Sequence, residues 1–152
     1  MTQDSIERET MIEAPVERVW SVITEAEHLG RWFGDAGAEI DLRPGGELTM
    51  RWESGDSARA RVEMVEPPRR FAYRWFHYSH ADDGGEHTPA NSTLVEFTLT
   101  PEGRATRLRV VESGFAGLGA SDEVKRADRE GNVRGWQHEL GELVAYAEKV
   151  AA

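Results

Sequence analysis

The sequence predicts an α+β fold: an antiparallel sheet of about seven strands wrapped on a long C-terminal helix, with two short helices after the first strand. Two observations carry this. From Ala36 to Ser113, apolar residues recur with a period of two, the pattern of strands with one buried face. Val133, Trp136, Leu140, Leu143, Val144, Ala147 and Val150 then keep helical spacing, which gives a long helix one apolar side. Such a helix must lie on something, and the apolar sheet face is the partner on offer. The chain has 152 residues, the size of one domain, and residues 1–152 are read as one unit.

The elements follow in order. Ile6 to Ile12 is a first strand. Pro15 suits the first position of a helix, and Val16, Val19, Trp20 and Ile23 form its stripe. A second short helix covers Ala26 to Phe33, with Leu29, Trp32 and Phe33 as its apolar side and Gly34 as its stop. Six strands then carry the sets Ala38-Ile40-Leu42, Leu48-Met50-Trp52, Ala60-Val62-Met64, Phe71-Tyr73-Trp75-His77, Val95-Phe97-Leu99 and Thr106-Leu108-Val110-Glu112. Turns fall at Arg43 to Gly46, Glu66 to Arg69 and Pro101 to Gly103. Ser79 to Asn91 is a long polar loop. Ser121 is a candidate N-cap for the last helix. Asp122 to Glu130 is its solvated, ion-paired first segment.

A slip of one residue turns every side chain of a strand over, so the turns are a test of phase. Turn placement sets Met64 opposite Phe71, Val62 opposite Tyr73, Ala60 opposite Trp75, Val95 opposite Val110 and Phe97 opposite Leu108. Keeping the faces in phase adds Trp52 opposite Ala60, Trp75 opposite Val95 and Tyr73 opposite Phe97. The rows are apolar at one end and end in His77, Thr93 and Glu112. Arg51, Arg59, Arg61, Arg74, Glu96, Arg107 and Arg109 fall on the other face, toward solvent.

Composition removes several function classes. With 18 Lys and Arg against 28 Asp and Glu, the net charge is −10. A nucleic-acid or anionic-membrane surface needs a basic face, so neither partner is expected. The absence of cysteine excludes disulfides, thiolate metal sites and a cysteine nucleophile. No apolar run approaches membrane-spanning length. The opening MTQDSIERET has no basic n-region or apolar h-region, so a soluble cytoplasmic protein is expected, as a monomer or homodimer.

Several segments resemble a known family. "IEAPVERVWSVITEAEHLGRWF" (Ile12 to Phe33), "VEMVEPPRRFAYRW" (Val62 to Trp75), "ESGF" (Glu112 to Phe115) and "GWQHELGELVAYAE" (Gly135 to Glu148) look like the C-terminal domain of the activator of the heat-shock protein 90 ATPase. That is a branch of the START/SRPBCC superfamily. The resemblance implies the helix-grip (START/Bet v 1-like) fold. It also places Gly114 to Gly119 at the mouth of a pocket. The superfamily holds lipid carriers, hormone and polyketide binders, cyclases and co-chaperone-like domains, so fold alone does not choose among them.

Space left by Ala58 and Ala60 beside tryptophans, closed by polar groups at one end, reads as a small-molecule cavity between sheet and helix. The residues expected to line it are Trp52, Tyr73, Trp75, His77, Thr93, Val95, Phe97, Val110, Glu112, Phe115, Leu118, Trp136 and Leu140. The expected ligand is small and apolar or aromatic. A chaperone or other protein partner in stress response is the alternative. A third reading is a cyclase, dehydratase or hydrolase using His77 or Glu112 as acid or base, since histidine titrates near neutrality. The stretch His77, His80, Asp82, Asp83, Glu86, His87 has metal-ligand residue types, but its Gly-rich loop reads as solvated, so no metal and no cofactor are expected. Gly114 to Gly119 is either a mobile gate carrying Phe115 and Leu118 or a plain connector.

Overall fold

The computed structural model describes residues 4–55, 57–76 and 92–151. A first strand β1 (Ser5–Ile12) leads to helices α1 (Val16–Thr24) and α2 (Ala26–Trp32). Six strands follow: β2 (Ala38–Ile40), β3 (Glu47–Arg51), β4 (Ser57–Glu66), β5 (Arg70–Phe76), β6 (Ser92–Glu102) and β7 (Ala105–Ser113). A short 3-10 turn at Phe115–Gly117 leads into α3 (Asp122–Ala151). The strands form a single antiparallel sheet in the order β1-β7-β6-β5-β4-β3-β2. This is the α+β architecture expected. No helix among the described residues is long and apolar enough to cross a membrane.

The hydrophobic periods choose the buried sides. α1 buries Val16, Val19, Val22 and Ile23, and its Trp20 ring meets Phe71 edge-on with centroids 6.3 Å apart. α3 buries Trp136, Leu140, Leu143 and Ala147, one per helical turn. Its first residues, Asp122 to Val124, are exposed, as a charged segment requires. At Gly34 the α2 terminus passes so close to β3 that a Cβ would lie 2.7 Å from the Arg51 carbonyl oxygen, which excludes any larger residue. The outer face is laced with cross-strand ion pairs, among them Arg107–Glu9 at 2.6 Å and Arg109–Glu7 at 2.8 Å.

The faces are as expected except at the end of β4, where Met64 was expected inward, and the rows slide. Val62 pairs with Tyr73 and Ala60 with Trp75. Met64 does not face Phe71: an irregularity between Val62 and Met64 sets Val65 opposite Phe71 instead. The β6–β7 strands run on through Pro101 and Glu102, leaving only Gly103 and Arg104 as the turn, with Gly103 at φ +64. Val95 is therefore opposite Glu112, and Phe97 opposite Val110. Across the other hairpins Tyr73 pairs with Val95, Trp75 with Thr93, and Leu48 with Ala60. Trp52 lies beyond the end of β3 rather than opposite Ala60. The slides of two residues at β5–β6 and β6–β7 keep the inward set inward and set Glu112 opposite Val95 instead of Thr93, whereas the one-residue irregularity in β4 turns the strand over, so that Val65 rather than Met64 packs on the core. One row now reads Ile6, Glu112, Val95, Tyr73, Val62.

Candidate functional site

The inner face of the sheet meets α3 around a cavity of about 160 Å³. The sheet contributes Tyr73 and Trp75 from β5, Val95 from β6 and Glu112 from β7. Phe33 comes from the end of α2, and Asn132, Gly135, Trp136 and Glu139 from α3. Those four α3 residues follow the i, i+3, i+4, i+7 pattern, so one face of the helix supplies them all. Gly135 is exposed and Trp75 half-buried, so the cavity reaches the surface beside α3.

Glu112 is the most unusual group here: a carboxyl side chain that is 1% exposed on the inner face of the sheet, one residue from the end of β7. Its oxygens accept from Thr93 Oγ1 at 2.5 Å, Asn132 Nδ2 at 2.9 and 3.0 Å, and Trp136 Nε1 at 2.8 Å. Burial pushes its pKa up, the three donors pull against that, and the charge of Asp128 adds to the rise. A carboxyl clasped this way is a fixed polar anchor between β6, β7 and α3. Tyr73 is also fully buried. Burial and the negative charges of Glu112 and Glu139 raise its phenol well above the usual range.

Glu139 stands one turn beyond Trp136. Burial, then the neighbouring charges of Glu142 and Asp35, raise its carboxyl from 4.5 to about 7. Its Oε2 is buried and accepts no hydrogen bond from the described residues. The aromatic wall is continuous. Phe33 stacks on Trp75 with centroids 5.5 Å apart and meets Trp136 edge-on at 6.2 Å. Phe97 stacks beneath Tyr73 at 6.0 Å and touches Trp136 at 5.9 Å.

Five expected lining residues meet at the cavity: Tyr73, Trp75, Val95, Glu112 and Trp136. Thr93 stands behind them as a donor to Glu112. Phe97, Val110 and Leu140 belong to the core around it. Trp52 turns to α2 instead, its Nε1 donating to the Phe33 carbonyl at 3.1 Å. Phe115 and Leu118 are not lid residues of the cavity: they are 0% and 2% exposed and sit in the core. Their segment is a fastened connector, because Asp4 accepts from the Gly114 and Ala116 backbone and Lys125 Nζ donates to the Ala116 carbonyl at 2.8 Å. His77, and the stretch from His80 to His87, lie outside the described residues. Gly135, which with Gly131 and Gly141 reads in the sequence as a source of close sheet approach or pocket space, does line the cavity, whereas Phe33, Asn132 and Glu139 are additions the sequence reading lacks. The helical spacing of Asn132 and Glu139 around Trp136 is the signal that points to them, and it is hidden when only the apolar members of that face are considered.

The sequence pattern of the family described as "Activator of Hsp90 ATPase homolog 1-like protein" matches residues 13–148. No curated protein matches. Among solved structures, protein MLL2253 from Mesorhizobium loti is similar with a TM-score of 0.75 and 21% identity, covering 95% of this chain and 97% of that one. CalU16 from Micromonospora echinospora has a TM-score of 0.67 and 26% identity over 94% of this chain and 75% of that one. DynU16, from the dynemicin biosynthetic locus, has a TM-score of 0.71 and 24% identity; it is matched over 98% of this chain and 49% of its own. These likenesses establish the helix-grip fold. The family pattern spans nearly the whole chain, and the chain belongs to the Activator of Hsp90 ATPase homolog 1-like family.

Proposed function

We propose that the chain is a small-molecule binding module whose ligand occupies the cavity between the sheet and α3. One observation carries the reading: between the sheet and α3, about 160 Å³ stays open beside an aromatic wall and two carboxyl side chains. Mostly apolar concave space with a few fixed polar groups is the usual form of a ligand site. The clasp on Glu112 supports it, since such a network fixes the orientation of an acceptor in the wall. Among the described residues, the exposed large apolar side chains are Met11, Leu42 and Val124, on β1, after β2 and on α3. Scattered single residues of that kind are ordinary surface, which favours a ligand over a docked protein.

The test is a thermal-shift and tryptophan-fluorescence screen of chemically diverse small aromatic and alicyclic compounds. A ligand at 100 times its Kd adds about 2.7 kcal/mol of stability. Gly135→Leu is the companion variant, because a Cβ at Gly135 meets no atom within 4 Å and the larger side chain fills the cavity. Expected are hits in the wild type that vanish in folded Gly135→Leu. A screen without hits, or hits indifferent to the substitution, would overturn the reading.

A further inference from the structure

Among the described residues, the cavity wall carries two carboxylates and no basic side chain. The two are not alike. Glu112 receives donors from Thr93, Asn132 and Trp136. Glu139 keeps a buried Oε2 that accepts nothing. A buried acceptor without a donor is unfavourable, and nearly all such atoms in proteins find a partner. The surroundings of Glu139 are negative, with Glu142 and Asp35 as the neighbouring charges that act on it. Facing these carboxylates are the rings of Phe33, Trp75 and Trp136, and aromatic faces attract cations. An anionic ligand would be repelled here. A purely apolar one would leave Oε2 as it is.

The geometry points to a ligand class, resting on the binding reading above: a cationic amine carried on a small aromatic body, its ammonium donating to Glu139 and its ring lying against the wall formed by Phe33, Trp75 and Trp136. The volume agrees. About 160 Å³ is close to the roughly 150 Å³ cavity that takes up one benzene. One ring with a short alkylamine arm fits that space. The acceptor is one helical turn from the Trp136 indole, so ring and ammonium are served by the same face of α3.

The experiment is calorimetric titration of the full chain at pH 8 with four matched probes: phenethylamine, 2-phenylethanol, 3-phenylpropionate and ethylbenzene. At that pH Glu139 is largely ionised, its carboxyl titrating at about 7. An alkylamine, with a pKa near ~10, stays charged. The amine is expected to bind about tenfold or more tightly than the alcohol and the hydrocarbon, as a charge-assisted hydrogen bond requires, with the carboxylate weakest. Glu139→Gln should cut amine affinity about tenfold and leave alcohol and hydrocarbon within about twofold. The ligand order in the wild type stands without any variant, and thermal unfolding verifies that Glu139→Gln is folded. If the alcohol or hydrocarbon binds as well as the amine, or the substitution leaves amine affinity unchanged, the amine inference is overturned while the binding reading survives. If none of the four binds, the amine inference also fails, and the wider screen alone decides the binding reading.

Discussion

At one end of the sheet's inner face, Leu48, Met50, Phe71 and Phe97 meet Ile23, Leu29 and Trp32 from α1 and α2, and the space between them is too small for a water molecule. At the other end, Tyr73, Trp75 and Val95 of the same sheet face Asn132, Gly135 and Glu139 of α3 across about 160 Å³. The strands present the same kinds of residue at both ends. The helices make the difference. α1 and α2 bring branched and aromatic side chains, whereas α3 sets a glycine and two polar residues around its one aromatic, Trp136. Where a protein leaves space can therefore be decided by a few positions on one covering helix.

That contrast is broken most directly by truncating one aromatic at each end. Phe71, fully buried in the packed end, should cost about 3–5 kcal/mol as Phe71→Ala, because a cavity replaces tight packing. Trp75 is half-buried and already borders open space. Trp75→Ala should cost about 1–2 kcal/mol although it removes more atoms, since fewer contacts are lost. Denaturant unfolding of both variants measures this. Equal losses would mean that the Trp75 end is packed as tightly as the other.

The charge at the open end gives a second contrast. Glu139 titrates at about 7 in the folded chain against 4.5 when unperturbed. Its folded pKa is raised, so its stabilising contribution is complete below about 4.5 and is lost as pH rises through 7. With solvent screening of a half-buried group allowed for, the loss between pH 5 and pH 8 is on the order of 1–2 kcal/mol. Glu139→Gln should remove that part of the pH dependence and be the more stable form at pH 8. Urea unfolding at the two pH values checks it; an unchanged slope would place the pH sensitivity elsewhere, with Glu112 the next candidate because its pKa is also raised.

The fold was legible because its signals are periodic: alternation fixed which residues of β3 to β7 point inward, and the spacing from Val133 to Val150 fixed α3. Register was legible across the Glu66–Arg69 turn, where Val62 and Ala60 have their expected partners, and was off by two across the Pro101–Gly103 turn. Between Phe76 and Ser92 the long connection leaves the pairing of β5 with β6 free by two residues, and an error of two is invisible to an argument about faces. The same holds at the β6–β7 turn, which closes on Gly103 and Arg104 alone, and that is why Glu112 was expected opposite Thr93 and is found opposite Val95. The site was half legible for a related reason. Tyr73, Trp75 and Trp136 announce themselves as buried aromatics, whereas Asn132 and Glu139 look like ordinary solvent-facing helix residues until Trp136 shows which way that face turns.

The smallest expected effect separates two glycines of α3. Gly135 lines the cavity, and Gly141 lies over β1 beside Arg8, Glu9 and Thr10. A Cβ at either position meets no atom within 4 Å. Alanine at each should therefore raise stability by about 1 kcal/mol, because the helix gains propensity and nothing is displaced. Their consequences for binding should differ. A methyl group at position 135 takes up cavity space and should weaken whatever ligand the screen yields, while the same methyl at 141 leaves affinity unchanged. Thermal unfolding and titration of the two variants make the comparison. If Gly141→Ala weakened binding as much as Gly135→Ala, the helix as a whole, rather than the wall residue, would govern access, and the ligand would have to be sought nearer the groove between α3 and β1.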